Sequence, residues 1–235
     1  MVLKEVGTAE MDRVARSVIQ RAGELIRDRI GTFPFRDVQE KGPSDYVTEV
    51  DKACEDLIVG TILDRFPRHH IMSEETAGGT LQPGITWVID PLDGTTNFIH
   101  GFPFVAVSIA VCLDGKPILG YVLDAVRGEL FTAEKGNGAW LNGRPIHVRN
   151  VARTEDALVA TGFPFRSREV LEPYLNVFRE VFQNSMGIRR AGAAALDLAY
   201  LASGRVDGFW EVGLKTWDVA AGSLLVLEAG GTVSD

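Results

Sequence analysis

Ten residues, Phe104 to Leu113, constrain the fold more than any other stretch of the chain. Bulky side chains (Val105, Val107, Ile109, Val111) alternate with small ones (Ala106, Ser108, Ala110, Cys112), and neither set carries a charge. A period of two is a strand. A strand with one face in water would show polar residues at every second position. Both faces of this strand must therefore be covered, so the chain folds in layers. It is long enough to do so: 235 residues bury roughly 70–75% of their unfolded surface without a disulfide or metal staple.

The patterns on either side supply the covering elements. A first helix is predicted from about Thr8 to Ile30, capped by Thr8 and stopped by Gly31, with Met11, Val14, Ala15, Val18, Ala22, Leu25 and Ile26 as its apolar stripe. A polar loop is expected from Gln39 to Val47. A second helix starts near Thr48, with Asp51 as a capping-box partner and Val50, Ala53, Cys54, Leu57 and Ile58 inward. Short strands at His70–Ser73 and Thr86–Asp90 precede the central strand. The Asp114-Gly115 turn, Pro117–Asp124 and Glu129–Ala133 extend it as an antiparallel meander. After about residue 150 strands and helices alternate, which predicts an α/β layer: helices over Glu169–Phe182, Ala193–Leu201 and Trp217–Ala229, and strands at Ala157–Thr161, Ile188–Arg190, Val206–Glu211 and from Thr232. The expected organisation is one unit over 1–235, with sub-domains of about 1–150 and 151–235.

Composition excludes several classes of function. Hydrophobic residues make up 46% and charged residues 24%, which rules out disorder. The net charge of −8 argues against direct nucleic-acid contact. The longest apolar run, interrupted by Pro103 and Ser108, is too short to span a bilayer. The N-terminus has no secretory pattern, and two cysteines (Cys54 and Cys112) make no disulfide framework, so a reducing cytoplasm is expected.

Acidic residues cluster at strand ends and helix starts. Ser73-Glu74-Glu75 follows a strand; alone it reads as a solvated turn. Asp90-Pro91-Leu92-Asp93-Gly94-Thr95-Thr96 follows an apolar strand and is harder to dismiss. Two carboxylates three residues apart on a rigid turn can converge on one hard cation. The amides of Gly94, Thr95 and Thr96 would open the next helix, which suits an anion. Asp218 in Thr216–Gly222 begins an apolar helix and alone reads as a helix-dipole carboxylate. Glu211 ends a strand and alone carries little weight. The scattered histidines have no zinc spacing, and no nucleophile elbow, P-loop or dinucleotide fingerprint is present. Oxygen ligands remain, which favour Mg²⁺ or Mn²⁺.

Glu74-Glu75, Trp87–Phe98 with its Asp90-Pro91-Leu92-Asp93-Gly94-Thr95-Thr96 core, and Trp217-Asp218-Val219-Ala220-Ala221-Gly222 together strongly resemble the inositol monophosphatase family. Ala160–Phe165 and Ala194–Tyr200 resemble its bacterial inositol-1-monophosphatase branch. The resemblance implies an α/β fold, a layered α-β-α-β-α sandwich of the Mg-dependent, Li-sensitive sugar phosphatase type. It implies a homodimer and hydrolysis of a small phosphate ester, myo-inositol monophosphate, by metal-activated water. Two to three Mg²⁺ are implied, with Mn²⁺ able to substitute and Li⁺ inhibitory. Glu74, Asp90 and the Leu92 carbonyl would hold the first ion, and Asp90, Asp93 and Asp218 the second. Glu74 would help hold a weaker third. Thr95, paired with Asp51, would orient the attacking water, and the Gly94 and Thr95 amides would hold the phosphate. Asp93, Ala194 and Glu211 would contact inositol hydroxyls, with Gly192 and Ala193 lining the same wall. Lys41 and Asp45 would sit on a mobile loop.

Two departures from the family pattern stand out. Ala193 replaces the usual Thr or Ser, and family members continue beyond Asp235, so the C-terminal sheet edge is expected to be incomplete. Related readings are phosphatases for fructose bisphosphate, 3′-phosphoadenosine phosphate, histidinol phosphate or NADP, and a docking or regulatory protein on the same fold.

Overall fold

The computed structural model describes residues 7–33, 39–42, 45–76, 81–165 and 167–234, with backbone alone at 39–42 and 45. Helices α1 (Thr8–Arg29) and α2 (Glu49–Arg65) flank a hairpin of β1 (Gln39–Gly42) and β2 (Asp45–Val47). Seven strands then form the main sheet: β3 (His70–Ser73), β4 (Ile85–Asp93), β5 (Ala106–Leu113), β6 (Lys116–Asp124), β7 (Glu129–Glu134), β8 (Gly138–Leu141) and β9 (Arg144–Pro145). They lie in chain order, antiparallel except for the β3–β4 pair. The short helix α3 (Thr95–His100) follows β4. The remainder alternates: β10 (Leu158–Thr161), α4 (Leu171–Asn184), β11 (Gly187–Arg189), α5 (Ala194–Ala202), β12 (Gly208–Trp210) and α6 (Thr216–Glu228). Its three strands make a parallel sheet in the order β11–β10–β12.

The alternation in β5 places the layers. Its bulky side chains, Val107, Ile109 and Val111, share one core with Met11, Val18 and Ile58 of α1 and α2. Its small side chains, Ala106, Ala110 and Cys112, share another with Leu196, Leu198, Leu224 and Leu225 of α5 and α6. Small residues on that face let helices come close. A Cβ on Gly120 of β6 would lie 2.9 Å from the Ala221 carbonyl oxygen, and one on Gly222 would lie 2.6 Å from Leu198 Cβ. Phe209 of β12 joins the same core. Trp210 points the other way and stacks on Tyr174 of α4 at 6.1 Å. The order is α1/α2, main sheet, α5/α6, parallel sheet, α4, the five layers expected.

Several local expectations need correction. Gly7, not Thr8, caps α1, and no side chain helps it. Leu25 lies at the margin of its stripe and is exposed, as is Ala53 in α2. The stretch read as a polar loop contains the β1–β2 hairpin. Residues 231–234 form no strand. The capping box of α2, by contrast, is complete. Thr48 Oγ1 accepts from the Val50 and Asp51 amides, and Asp51 Oδ2 accepts from the Thr48 amide at 2.8 Å. Both residues are buried. Thr48→Ala is expected to cost about 1–2 kcal/mol, and so to lower the melting temperature by roughly 2–8 °C for a chain of this size. Calorimetry showing no change would count against the capping assignment.

Candidate active site

A bulge, not a turn, brings Asp90 and Asp93 together. Residues three apart on a regular strand face opposite sides. Here β4 pairs Asp90 with Ser108 and Asp93 with Ala106, and the register shifts between them. Ser108 and Ala106 are two apart and share a face, so the single extra residue puts both carboxylates on that face. Pro91, which has no N–H to give a ladder, sits in the irregular step. The Leu92 amide donates to Asp90 Oδ1 at 3.1 Å, and the Ala195 amide at the start of α5 donates to Asp93 Oδ2 at 2.8 Å. Gly94 then takes φ 92°, a left-handed conformation that favours glycine, and starts α3.

Neighbouring elements complete one cavity of about 460 Å³. Glu74 reaches it from the end of β3, Glu211 from the end of β12 and Asp218 from the first turn of α6. Gly94, Thr95, Leu92, Gly192 and Ala194 also line it. Asp218 Oδ2 accepts from the Lys215 amide at 2.6 Å, which fixes the helix start. Asp51 stands behind the wall, where its Oδ1 accepts from the Thr95 hydroxyl at 2.9 Å. Ala193 departs from its expected place: it is buried behind Gly94, not on the cavity wall. Lys41 lies on β1 and Asp45 on β2, and the side chains of both fall outside the described residues.

The electrostatics call for a cation. Burial pushes the Asp90 carboxyl well above the usual carboxylate range, and Glu74, Asp93, Asp218 and Asp51 push it further. Asp93 is raised by burial and by Asp218, although the Ala195 amide opposes the shift. Burial also raises Asp51, against hydrogen bonds from Thr48 and Thr95. Asp197, buried in α5, is pushed up to about 8 by burial and by Asp93 and Glu211. Among the described residues no three His, Cys, Asp or Glu side chains are already gathered as a ligand set. What the cavity offers instead is four carboxylates (Glu74, Asp90, Asp93 and Asp218) that repel one another. All are hard oxygen donors, with the Leu92 carbonyl beside them, and they fit Mg²⁺ in chemistry and charge.

Sequence reasoning missed the cavity's other rim. Phe163 and Phe165 meet edge to face at 5.8 Å, and the Arg190 guanidinium lies 5.2 Å from each ring centre. Among the described lining residues Arg190 is the one permanent cation. Tyr46 lines the cavity as well. None of these residues belongs to an acidic motif. The Arg189-Arg190 pair before Gly192 was the nearest available signal.

Comparison with known proteins gives one consistent result. The model of the inositol monophosphatase family matches residues 8–235. The Nus factor SuhB of Pseudomonas aeruginosa is 52% identical over 232 residues, covering 96% of this chain and 85% of that protein. The crystal structure of the extragenic suppressor protein suhB from Bartonella henselae superposes with a TM-score of 0.86 at 42% identity, covering 94% of this chain and 85% of the other. SaIMPase-II, solved with inositol monophosphate bound, gives a TM-score of 0.78 at 31% identity, covering 94% and 80%.

Proposed function

The chain belongs to the inositol monophosphatase family, and on that premise we propose that it hydrolyses myo-inositol monophosphate to inositol and phosphate, with Mg²⁺ as cofactor. The observation that carries this reading is the cavity: a wall of carboxylates that needs a cation, with a further carboxylate, Glu211, set apart on β12's end. SaIMPase-II with its bound inositol monophosphate supports the choice of ester. Because Glu74, Asp90 and Asp93 come from before residue 150 and Glu211 and Asp218 from after it, the two halves act as one catalytic unit.

Glu74, Asp90 and the Leu92 carbonyl would hold one Mg²⁺. Asp90, Asp93 and Asp218 would hold a second, and Glu74 would help to hold a weaker third. Bound there, Mg²⁺ supplies positive charge to the phosphoryl oxygens and lowers the pKa of water. The chain's own groups do the rest. The Thr95 hydroxyl donates to Asp51, so its lone pairs can accept from the attacking water and orient it. Asp51, with its raised carboxyl pKa, is a base suited to take a proton through that hydroxyl. The Gly94 and Thr95 amides hold the phosphate. Asp93, Ala194 and Glu211 contact the leaving group, where a carboxylate accepts from vicinal hydroxyls and repels a second phosphate. At the Glu211 end this works against a second phosphate. The protein works as a homodimer in the cytoplasm. No helix among the described residues is long and apolar enough to cross a membrane, and Cys54 and Cys112 are free thiols.

Glu211→Gln tests the substrate. It is expected to lower kcat/KM on myo-inositol 1-phosphate by about tenfold or more while changing a plain aryl phosphate little, because only the polyol loses a hydrogen-bond acceptor. Equal losses on both esters would sink the assignment.

The name of the relatives, Nus factor, favours a second reading: a regulatory protein that docks on a partner through this fold. A turnover-dead Asp93→Asn variant that still complements a deletion strain would support docking. Failure to complement would tie the biology to catalysis.

A further inference from the structure

Glu211 stands directly after β12 and Gly162 directly after β10. The two strands pair in parallel with Thr161 opposite Trp210, so Gly162 and Glu211 leave the sheet side by side. Thr161 fixes this end. Its buried hydroxyl donates to the Trp210 carbonyl at 2.8 Å and shares a hydrogen bond with the Tyr174 hydroxyl at 3.0 Å.

The Glu211 carboxyl rests over Gly162. A Cβ on Gly162 would lie 1.9 Å from Glu211 Cδ and 2.0 and 2.1 Å from its two oxygens. No side chain can share that space, so the carboxyl occupies what any other residue at 162 would fill. The backbone gives no competing reason for glycine. Gly94 and Gly192, in the same cavity, have φ of 92°, but Gly162 is not among the glycines with positive φ. Its missing side chain matters for space, not for conformation.

We propose that Gly162 is a positioning residue that sets the preference for a polyhydroxylated leaving group, by leaving open the space in which the Glu211 carboxyl rests. The proposal deepens the function proposed above and rests on it, since Glu211 selects the leaving group only when held where hydroxyls can reach it. A methyl group at 162 expels the carboxyl, either into the volume the leaving group needs or away from it. The hydrogen bonds are lost in both cases. The metal-binding carboxylates come from β3, β4 and α6 and keep their places.

The test is Gly162→Ala, assayed with myo-inositol 1-phosphate and p-nitrophenyl phosphate at saturating Mg²⁺, beside Glu211→Asp and the double variant. Gly162→Ala is expected to lose about tenfold in kcat/KM on the inositol ester and less than about twofold on the aryl ester. Glu211→Asp, one methylene shorter, lowers the inositol-to-aryl ratio in the native background but restores part of it in the Gly162→Ala background. General loss of stability does not produce that reversal of sign. Equal losses on both esters, or an aspartate that lowers the ratio in both backgrounds, would overturn the proposal.

Melting supplies an independent readout. Gly162→Ala lowers the melting temperature only slightly, because the flexible end of Glu211 can move aside, and Glu211→Ala in the same chain abolishes the loss. If Gly162→Ala does not fold, a folded Gly162→Ala/Glu211→Ala double variant supports the clash, and an unfolded one overturns it. The two readings fail separately. If Glu211→Gln shifts the ratio and Gly162→Ala does not, only this proposal falls. If Glu211→Gln leaves the ratio unchanged, the role of Glu211 falls as well.

Discussion

Asp93→Asn is expected to remove at least about a thousandfold of Mg²⁺-dependent kcat/KM, and yet to raise the melting temperature of the metal-free protein. Both effects come from one cause. Asp93 is buried beside Asp218, Glu211 and Glu74, and its carboxyl is held well above its ordinary range. Whenever it is ionised without a cation beside it, it destabilises the empty site. Asparagine keeps an acceptor for the Ala195 amide and drops the charge. The metal-free protein should gain about 2–4 °C for each kcal/mol of repulsion removed, given a chain of this size. The stabilisation by Mg²⁺ should shrink in the same variant. A metal-free melting temperature that falls would mean that the Ala195 hydrogen bond needs the full carboxylate, and that repulsion is the smaller effect.

Mg²⁺ is expected to raise the melting temperature of the native chain, and by more at higher pH. At a hundredfold excess over Kd the gain is about 2.7 kcal/mol, or roughly 5–11 °C. The pH dependence follows from the sign of the shifts. Asp51, Asp90 and Asp93 have folded-state pKa values above their ordinary ones. At these three sites the folded metal-free protein therefore holds more protons than the unfolded chain from about pH 4, the unperturbed Asp value, up to the raised values. This contribution to stability is complete below that pH and is lost as pH rises through the raised values. Mg²⁺ binds the ionised carboxylates and removes the loss. Calorimetry from pH 5 to 8, with EDTA and with Mg²⁺, checks it. A Mg²⁺ gain that is constant or falls with pH would contradict the assignment of Asp90 and Asp93 as ligands.

How much of this was legible from the chain depends on the range of the interaction. The alternation in Phe104–Leu113 specified two covered faces because burial is written in residue size and polarity, and the structure covers both. The Thr48–Asp51 box was legible because a cap is made within four residues. Asp90 and Asp93 could be singled out as a pair. Their shared face could not, since it arises from register against Ser108 and Ala106. Phe163, Phe165 and Arg190 reach the cavity through strand pairing and loop packing that no local pattern encodes. Gly162 was hidden for a related reason. In sequence, a glycine that makes room for a carboxyl looks the same as one that turns the chain. The family resemblance put Ala193 on the cavity wall, but at the start of α5 its side chain is buried against neighbouring residues instead.

The central claim, that the carboxylate cavity is a Mg²⁺ site for hydrolysing an inositol phosphate, is tested most directly by phosphate release from myo-inositol 1-phosphate titrated with Mg²⁺. The assay is run with and without Li⁺, beside fructose 1,6-bisphosphate and 3′-phosphoadenosine 5′-phosphate. The predicted result is turnover that is absent without Mg²⁺, inhibited by Li⁺ and greatest on the inositol ester. Turnover that prefers a bisphosphate would contradict the role given to Glu211, and turnover of the inositol ester without a divalent cation would contradict the site itself.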